Sequence, residues 1–286
     1  MIKLKAYAKL NLNLHIIPRP LRNGLYPVKF INCQLDLHDD LFFERIKNKI
    51  KIISNNSQLP KTEDNLIYKA AVLLKKNIND PSLGAKIRLK KNIPVKAGLA
   101  GGSSDAASTL KGLIKLWHIK VTPNILLKIA GQLGKDVFYC LKGGLCEILS
   151  DGKVVNNLKT ALPKLFLVII VPDKNKSSTE WMYQNLNKEI IGKNLDKFEK
   201  LKKAIILKNN KEIIENLFND FENLALNEFP LIAKIKDDLV KNGALKTLLA
   251  GSGLAVAGFF KEEKKAKITF NNLKIKYKNI LWTETI

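Results

Sequence analysis

Residues 94 to 107 read Pro94-Val95-Lys96-Ala97-Gly98-Leu99-Ala100-Gly101-Gly102-Ser103-Ser104-Asp105-Ala106-Ala107. Upstream, Ala85, Ile87 and Leu89 alternate with basic residues, as a half-buried strand does. Downstream, Ala106, Ala107, Leu110, Leu113, Ile114 and Trp117 fall at i, i+1, i+4, i+7, i+8 and i+11, one face of an amphipathic helix. The unit is strand, glycine loop, helix. Gly98, Gly101 and Gly102 let the backbone approach a ligand closely, and Ser103 and Ser104 supply hydroxyls. A helix beginning near Ser104 would aim its free N–H groups at the same place. That arrangement suits an anion, above all a phosphate; the plainer alternative is a Ser-capped helix after an ordinary tight turn. Neither Gly-x-x-x-x-Gly-Lys-Ser/Thr nor Gly-x-Gly-x-x-Gly occurs anywhere in the chain, which excludes a Walker loop and a dinucleotide fingerprint.

Working outward, Ile2-Lys3-Leu4-Lys5-Ala6 and Leu10-Asn11-Leu12-Asn13-Leu14-His15-Ile16 alternate like early strands, and Pro18, Pro20 and Asn23-Gly24 punctuate a loop before another apolar stretch. His38-Asp39-Asp40 reads as a turn, and Ile50 to Ile53 as a further strand. From Asn65 the apolar period becomes helical through Leu66, Ala70, Leu73 and Leu74. A short helix is expected over 124–131 after Pro123. Lys142-Gly143-Gly144 turns into an apolar stretch, and Lys153 to Pro163 is polar enough to be an inter-domain crossing. Leu165 to Val171 opens a second half with helices near 194–208 and 211–218 and a glycine turn at Gly251-Ser252-Gly253. The expected architecture is α+β in two domains, 1–158 and 159–286.

The 286 residues carry 49 Lys+Arg against 26 Asp+Glu, a formal charge of +23, with 46% apolar residues, so disorder is excluded and a sizeable core is affordable in area. Arg occurs only at positions 19, 22, 45 and 88, whereas base-edge recognition favours Arg. The scattered lysines therefore read as solvated surface, and no specific nucleic-acid partner is expected. Cys33, Cys140 and Cys146 form no Cys-x-x-Cys pair, which argues against a disulfide framework and a zinc site, and a reducing cytoplasm is the expected compartment. His15, His38 and His118 lack metal-ligand spacing and read as structural or exposed, so no protein metal site is expected. The longest apolar run, Leu165 to Val171, has seven residues against the roughly 20 of a membrane span. The alternating N-terminus predicts a chain without a signal peptide.

The Pro94–Ala107 segment resembles the phosphate loop of the GHMP kinase superfamily, Pro-x-x-x-Gly-Leu-Gly/Ala-x-Ser-Ser followed by small residues. Its Gly-Gly-Ser-Ser-Asp-Ala-Ala form is similar to the branch that phosphorylates a diphosphocytidyl sugar alcohol in isoprenoid precursor synthesis. Ala8-Lys9-Leu10-Asn11-Leu12, Asp64-Asn65-Leu66, Leu133-Gly134-Lys135-Asp136-Val137, Asn219-Asp220-Phe221-Glu222 and Gly251-Ser252-Gly253 are similar to that branch's other motifs and keep their order along nearly the whole chain.

The resemblance implies a two-domain fold with ATP and a small-molecule acceptor in the cleft, and magnesium held mostly by nucleotide phosphates and water. It implies Asp136 as general base and Lys9 beside it, although on the residues alone each is an ordinary charge at a strand edge or turn. It assigns the nucleotide to Pro94, Gly98, Leu99, Ala100, Gly101, Gly102, Ser103 and Ser104, with Asn65 either a nucleotide contact or a helix cap. The acceptor falls to Asn11, Tyr26, Tyr183, Gly251, Ser252 and Gly253. It leaves monomer and homodimer open.

Three departures stand out. Ala100 replaces the usual glycine, Leu254 follows the late turn where serine is usual, and Gly24-Leu25-Tyr26-Pro27 stands where an aromatic–histidine pair reads cytosine. Tyr26, helped by Tyr183, is therefore expected to stack the base. Ser178-Thr179-Glu180-Trp181-Met182-Tyr183 resembles a substrate-side segment, although a Trp/Tyr pair at helical spacing is as well read as core.

Overall fold

In the computed structural model, which describes residues 1–21, 26–173 and 178–286, the two alternating N-terminal stretches are one strand, β1 (Ile2–Ile16). It is followed by β2 (Val28–Arg45), β3 (Ile50–Ser54), α1 (Leu66–Ile78), β4 (Ala85–Lys90), α2 (Gly101–Trp117), α3 (Pro123–Leu133) and α4 (Lys135–Lys142). Then come β5 (Cys146–Leu149), β6 (Val154–Asn157), β7 (Phe166–Ile170), α5 (Thr179–Gln184), α6 (Asp196–Ile206), α7 (Asn210–Glu215) and β8 (Phe218–Asn219). The chain ends with α8 (Glu222–Glu228), α9 (Pro230–Lys241), β9 (Lys246–Leu249), β10 (Val256–Phe260), α10 (Glu263–Leu273) and β11 (Ile280–Glu284). The class is mixed α and β, as the sequence predicts.

By packing, the chain parts into two compact units, one of residues 1–8, 37–95 and 100–143, the other of residues 9–36, 96–99 and 144–286. This differs from a single cut at 158/159. The reason lies in β1 and β2, whose residues are divided between the units.

In the first unit β4 pairs parallel with β3 and antiparallel with β2, the latter through Asp40↔Lys90 to Arg45↔Ala85. Phe43, Leu74, Leu110, Leu113, Trp117 and Ile129 belong to one core under helices α1 to α4. Asn65 starts α1 by accepting a hydrogen bond from the Ile67 amide on Oδ1, and Asn79, in the left-handed conformation, ends it. Thr122 caps α3 in the same way. The expected turn at His38 is instead the interior of β2. Asp39 and Asp40 can lie in a strand because each has a cation, Lys91 and Lys3 respectively.

The second unit holds the antiparallel sheet β11-β7-β10-β9, in which Leu167 to Ile170 are fully buried, as the apolar run requires. In the same unit β1 pairs parallel with β8 through Asn13↔Phe218, and β2 pairs with β5, which pairs with β6. β6 occupies part of the segment expected to be a polar crossing. The helix expected over 211–218 stops at Glu215, because Phe218 and Asn219 are drawn into the pairing with β1. Tertiary pairing overrides local propensity there. Among the described residues no helix is long and apolar enough to cross a membrane.

Candidate active site

β1 carries the first part of the site. Lys9, Asn11, Asn13 and His15 form the polar half of its alternation, yet all four are buried, as are Leu10, Leu12 and Leu14 between them. A strand covered on both faces explains this, where a period-2 polar set ordinarily marks a solvated face. Lys9, 4% exposed, donates from Nζ to Asn11 Oδ1 at 2.7 Å, and Asn11 Nδ2 donates to Asn32 Oδ1 at 2.7 Å. Asn13 Oδ1 accepts from the Ile31 amide at 2.9 Å. His15 stacks on Phe218 at 5.0 Å, and burial, with Lys197 and Lys29 adding to it, lowers its pKa to about 4, so it is neutral.

The turn at 250–253 lies against this stripe. A Cβ built on Gly251 would stand 3.1 Å from Asn11 Oδ1 and 3.5 Å from Lys9 Nζ. Asn219 fixes the turn by donating from Nδ2 to the carbonyls of Leu249 and Gly251 at 2.8 and 2.7 Å. Ser252 Oγ is 3.2 Å from Thr179 Oγ1. The same turn abuts residues 97–98 of the glycine loop, and the Lys9 amide donates to the Leu99 carbonyl at 3.1 Å. The structure thus gathers Lys9, Asn11, Gly98, Leu99, Gly251, Ser252 and Gly253.

Along the loop the backbone turns left-handed at alternate residues, with φ of 59° at Lys96, 84° at Gly98 and 55° at Ala100. Ala100 is therefore the N-cap of α2 in a conformation that costs a non-glycine residue about 1–2 kcal/mol. The helix starts at Gly101, three residues before the expected Ser104, so both serines lie in its first turn. Ser104 is buried and Ser103 half-buried. That turn has no acidic side chain and no side-chain cap, so its N–H groups and dipole are not answered by an anion of its own.

Behind this turn, in the first unit, lies a charge cluster that sequence reasoning missed. Lys91 Nζ is 2.5 Å from Asp39 Oδ2 and 2.8 Å from Asp105 Oδ2, and all three side chains are almost fully buried. Asp39 Oδ1 also accepts from the amides of Asn92 and Ile93 at 2.6 and 2.8 Å, fixing the chain just before Pro94. Burial pushes the Asp105 carboxyl up to about 8, with Lys91 opposing and Asp39 reinforcing the shift. One cation between two carboxylates is best balanced with Asp105 neutral.

In the first unit Asp136 lies in the first turn of α4, half-buried, where a carboxylate suits the helix dipole. Asn65, besides capping α1, donates from Nδ2 to the Pro60 carbonyl at 2.7 Å. Its capping role is the one the structure displays. In the second unit Tyr26 is half-buried, and Tyr183 sets its ring edge-on to Phe221 at 5.0 Å. Gly24 and Leu25 lie outside the described residues.

The chain matches the GHMP kinases N terminal domain over residues 65–144 and the GHMP kinases C terminal domain over 201–279. It belongs to the GHMP kinase family. Among its relatives, the 4-diphosphocytidyl-2-C-methyl-D-erythritol kinases of Clostridium botulinum (strain Alaska E43 / Type E3) and Caldicellulosiruptor bescii are each 38% identical to it, over 99% of this chain and 99% and 98% of theirs. A solved 4-(cytidine 5'-diphospho)-2C-methyl-D-erythritol kinase superposes with a TM-score of 0.84 at 27% identity, covering 99% of both chains. A homoserine kinase from Cytophaga hutchinsonii shares the fold, with a TM-score of 0.68 at 18% identity.

Proposed function

We propose that the protein transfers the γ-phosphoryl group of ATP to a hydroxyl of 4-diphosphocytidyl-2-C-methyl-D-erythritol, a step in isoprenoid precursor synthesis. The observation that carries this is end-to-end similarity to kinases named for that acceptor, with the motif residues in their order. Asp136 accepts the hydroxyl proton as the oxygen attacks the γ-phosphorus and ADP departs with the bridging oxygen. Lys9, whose hydrogen-bond partner is a neutral amide and not a carboxylate, offsets the charge that shifts between acceptor and phosphoryl group. Backbone N–H groups of the 98–104 loop and the first turn of α2 receive the nucleotide's phosphates.

Magnesium, when bound, neutralises phosphate charge in flight. Among the described residues no group of three His, Cys, Asp or Glu side chains is placed to hold a metal ion. The ion is assigned to the nucleotide's phosphates and water, as a hard cation that keeps much of its shell allows. Tyr26 and Tyr183 are assigned to the cytosine. Incubating the protein with ATP and a panel of diphosphocytidyl methylerythritol, homoserine and mevalonate tests the reading. A phosphorylated diphosphocytidyl product is expected, and exclusive turnover of another acceptor would sink it.

A further inference from the structure

Asn32 meets Asn11 through a hydrogen bond, and by that bond its chemistry bears on what Lys9 can do. An ammonium only donates, so Asn11 must turn its oxygen toward Lys9. That leaves the Asn11 amino group facing away, where it donates to Asn32 Oδ1. The hydrogen bonds therefore run in one direction, and Asn32 supplies the acceptor that settles which way the Asn11 amide faces. Were that acceptor missing, the Asn11 amide could face Lys9 with its oxygen only by leaving its amino group a buried donor without a partner, a cost that favours turning the amide away from Lys9. Asn11 and Asn32 are both buried, so water does not stand in for the lost partner.

The strand positions are themselves held. Asn13 Oδ1 takes the backbone amide of Ile31, next to Asn32, and Cys33 Sγ, on the other side, lies 3.8 Å from the Leu10 carbonyl. The far end is open in the chemical sense, because Asn32 Nδ2 and Asn13 Nδ2 are buried donors without an acceptor among the described residues. Every side chain in the relay is neutral except Lys9. A carboxylate at position 11 would neutralise the ammonium, whereas two amides orient it and leave its charge whole.

Taking Lys9 as the site's cation, we infer that Asn32 is a positioning residue, acting through Asn11 to hold the Lys9 ammonium oriented and unneutralised. The test compares Asn32→Leu, close in size but without an acceptor, with Asn32→Asp, which keeps one. In crystal structures of the two variants, Asn32→Leu is expected to release Lys9 Nζ from Asn11 Oδ1 to beyond hydrogen-bond distance, and Asn32→Asp to retain the contact near 2.7 Å. Retention of the contact in Asn32→Leu overturns the relay.

In kinetics with the diphosphocytidyl acceptor, Asn32→Leu is expected to lower kcat about 5- to 100-fold while KM for ATP stays within about threefold. Added to Lys9→Ala it should cost nothing further, because the group it positions is gone. Full additivity, or an unchanged kcat with the contact broken, overturns the positioning role. A parent protein that leaves this acceptor unphosphorylated counts against the proposed function, and the relay is then decided by the two crystal structures.

Discussion

A Cβ on Gly98 would stand 2.0 Å from the carbonyl oxygen of Ala250, a distance no pair of such atoms adopts. Gly98 also has φ of 84°, a value that side chains resist. From the other side, a Cβ on Gly253 would meet the Ala97 carbonyl oxygen and the Gly98 nitrogen, both at 2.7 Å. The middle of the glycine loop and the late glycine turn are therefore in backbone-to-backbone contact.

Gly98→Ala is expected to force these backbones apart and lower the thermal midpoint by several degrees, with a loss of ATP affinity larger than the loss of stability explains. Calorimetry and nucleotide titration measure the two effects. A variant with parental midpoint and parental ATP affinity would show that the contact is not needed.

Asp105 gives the stability a pH dependence of defined sign. Its folded pKa of about 8 lies above the unfolded value near 3.9, so the folded state holds a proton that the unfolded state has released. Its contribution is complete below about pH 4 and is lost as pH rises to about 8. Asp105→Asn, which keeps the neutral form, should show a flatter decline in urea midpoint between pH 5 and 8. Parallel curves for parent and variant would place the ionised form in the cluster instead.

His15 acts in the opposite direction. Its pKa is lowered from 6.5 to about 4, so the stability it permits is present above about pH 6.5 and lost as pH falls through about 4. The full effect is on the order of 3 kcal/mol. His15→Gln should remove that acid limb from a plot of unfolding free energy against pH, and persistence of the limb would trace it to another group.

Asp136→Asn should leave the fold and ATP binding intact while kcat falls by about 10² to 10⁴, the range for a lost general base. Near-parental kcat would take Asp136 out of the proton transfer.

Asn65→Ala separates a capping role from a nucleotide contact. Loss of the cap costs about 1 kcal/mol of stability. KM for ATP unchanged alongside that loss assigns Asn65 to the helix alone, whereas a rise of tenfold or more assigns it to the nucleotide as well.

The glycine loop was legible because its residues are contiguous, whereas Lys9 was singled out only through the resemblance, since on the residues alone it is an ordinary charge. The burial of Asn11, Asn13 and His15 with it was not, since alternation ordinarily marks a wet face and only the tertiary cover reverses that meaning. The Lys91 cluster left still less trace. Asp39 lies 52 residues from Lys91 and Asp105 lies 14 away, so neither spacing carries a signal. Asn219 was visible within Asn-Asp-Phe-Glu, yet its grip on the Leu249 and Gly251 carbonyls depends on a turn 30 residues later. The left-handed Ala100 moved the start of α2 by three residues, a displacement that a side chain so small does not announce.

The segment pattern of the two compact units bears on how the protein can be made and how it comes apart. The backbone changes unit five times, after residues 8, 36, 95, 99 and 143. No truncation yields either half whole. A fragment starting at residue 144 would lack both long strands, leaving β5 and β8 with bare pairing edges that invite aggregation. Ribosomal synthesis must pass residue 219 before residues 9–36 have both of their partners, at 146–148 and 218–219. Premature termination therefore leaves sticky material in place of a working half-enzyme.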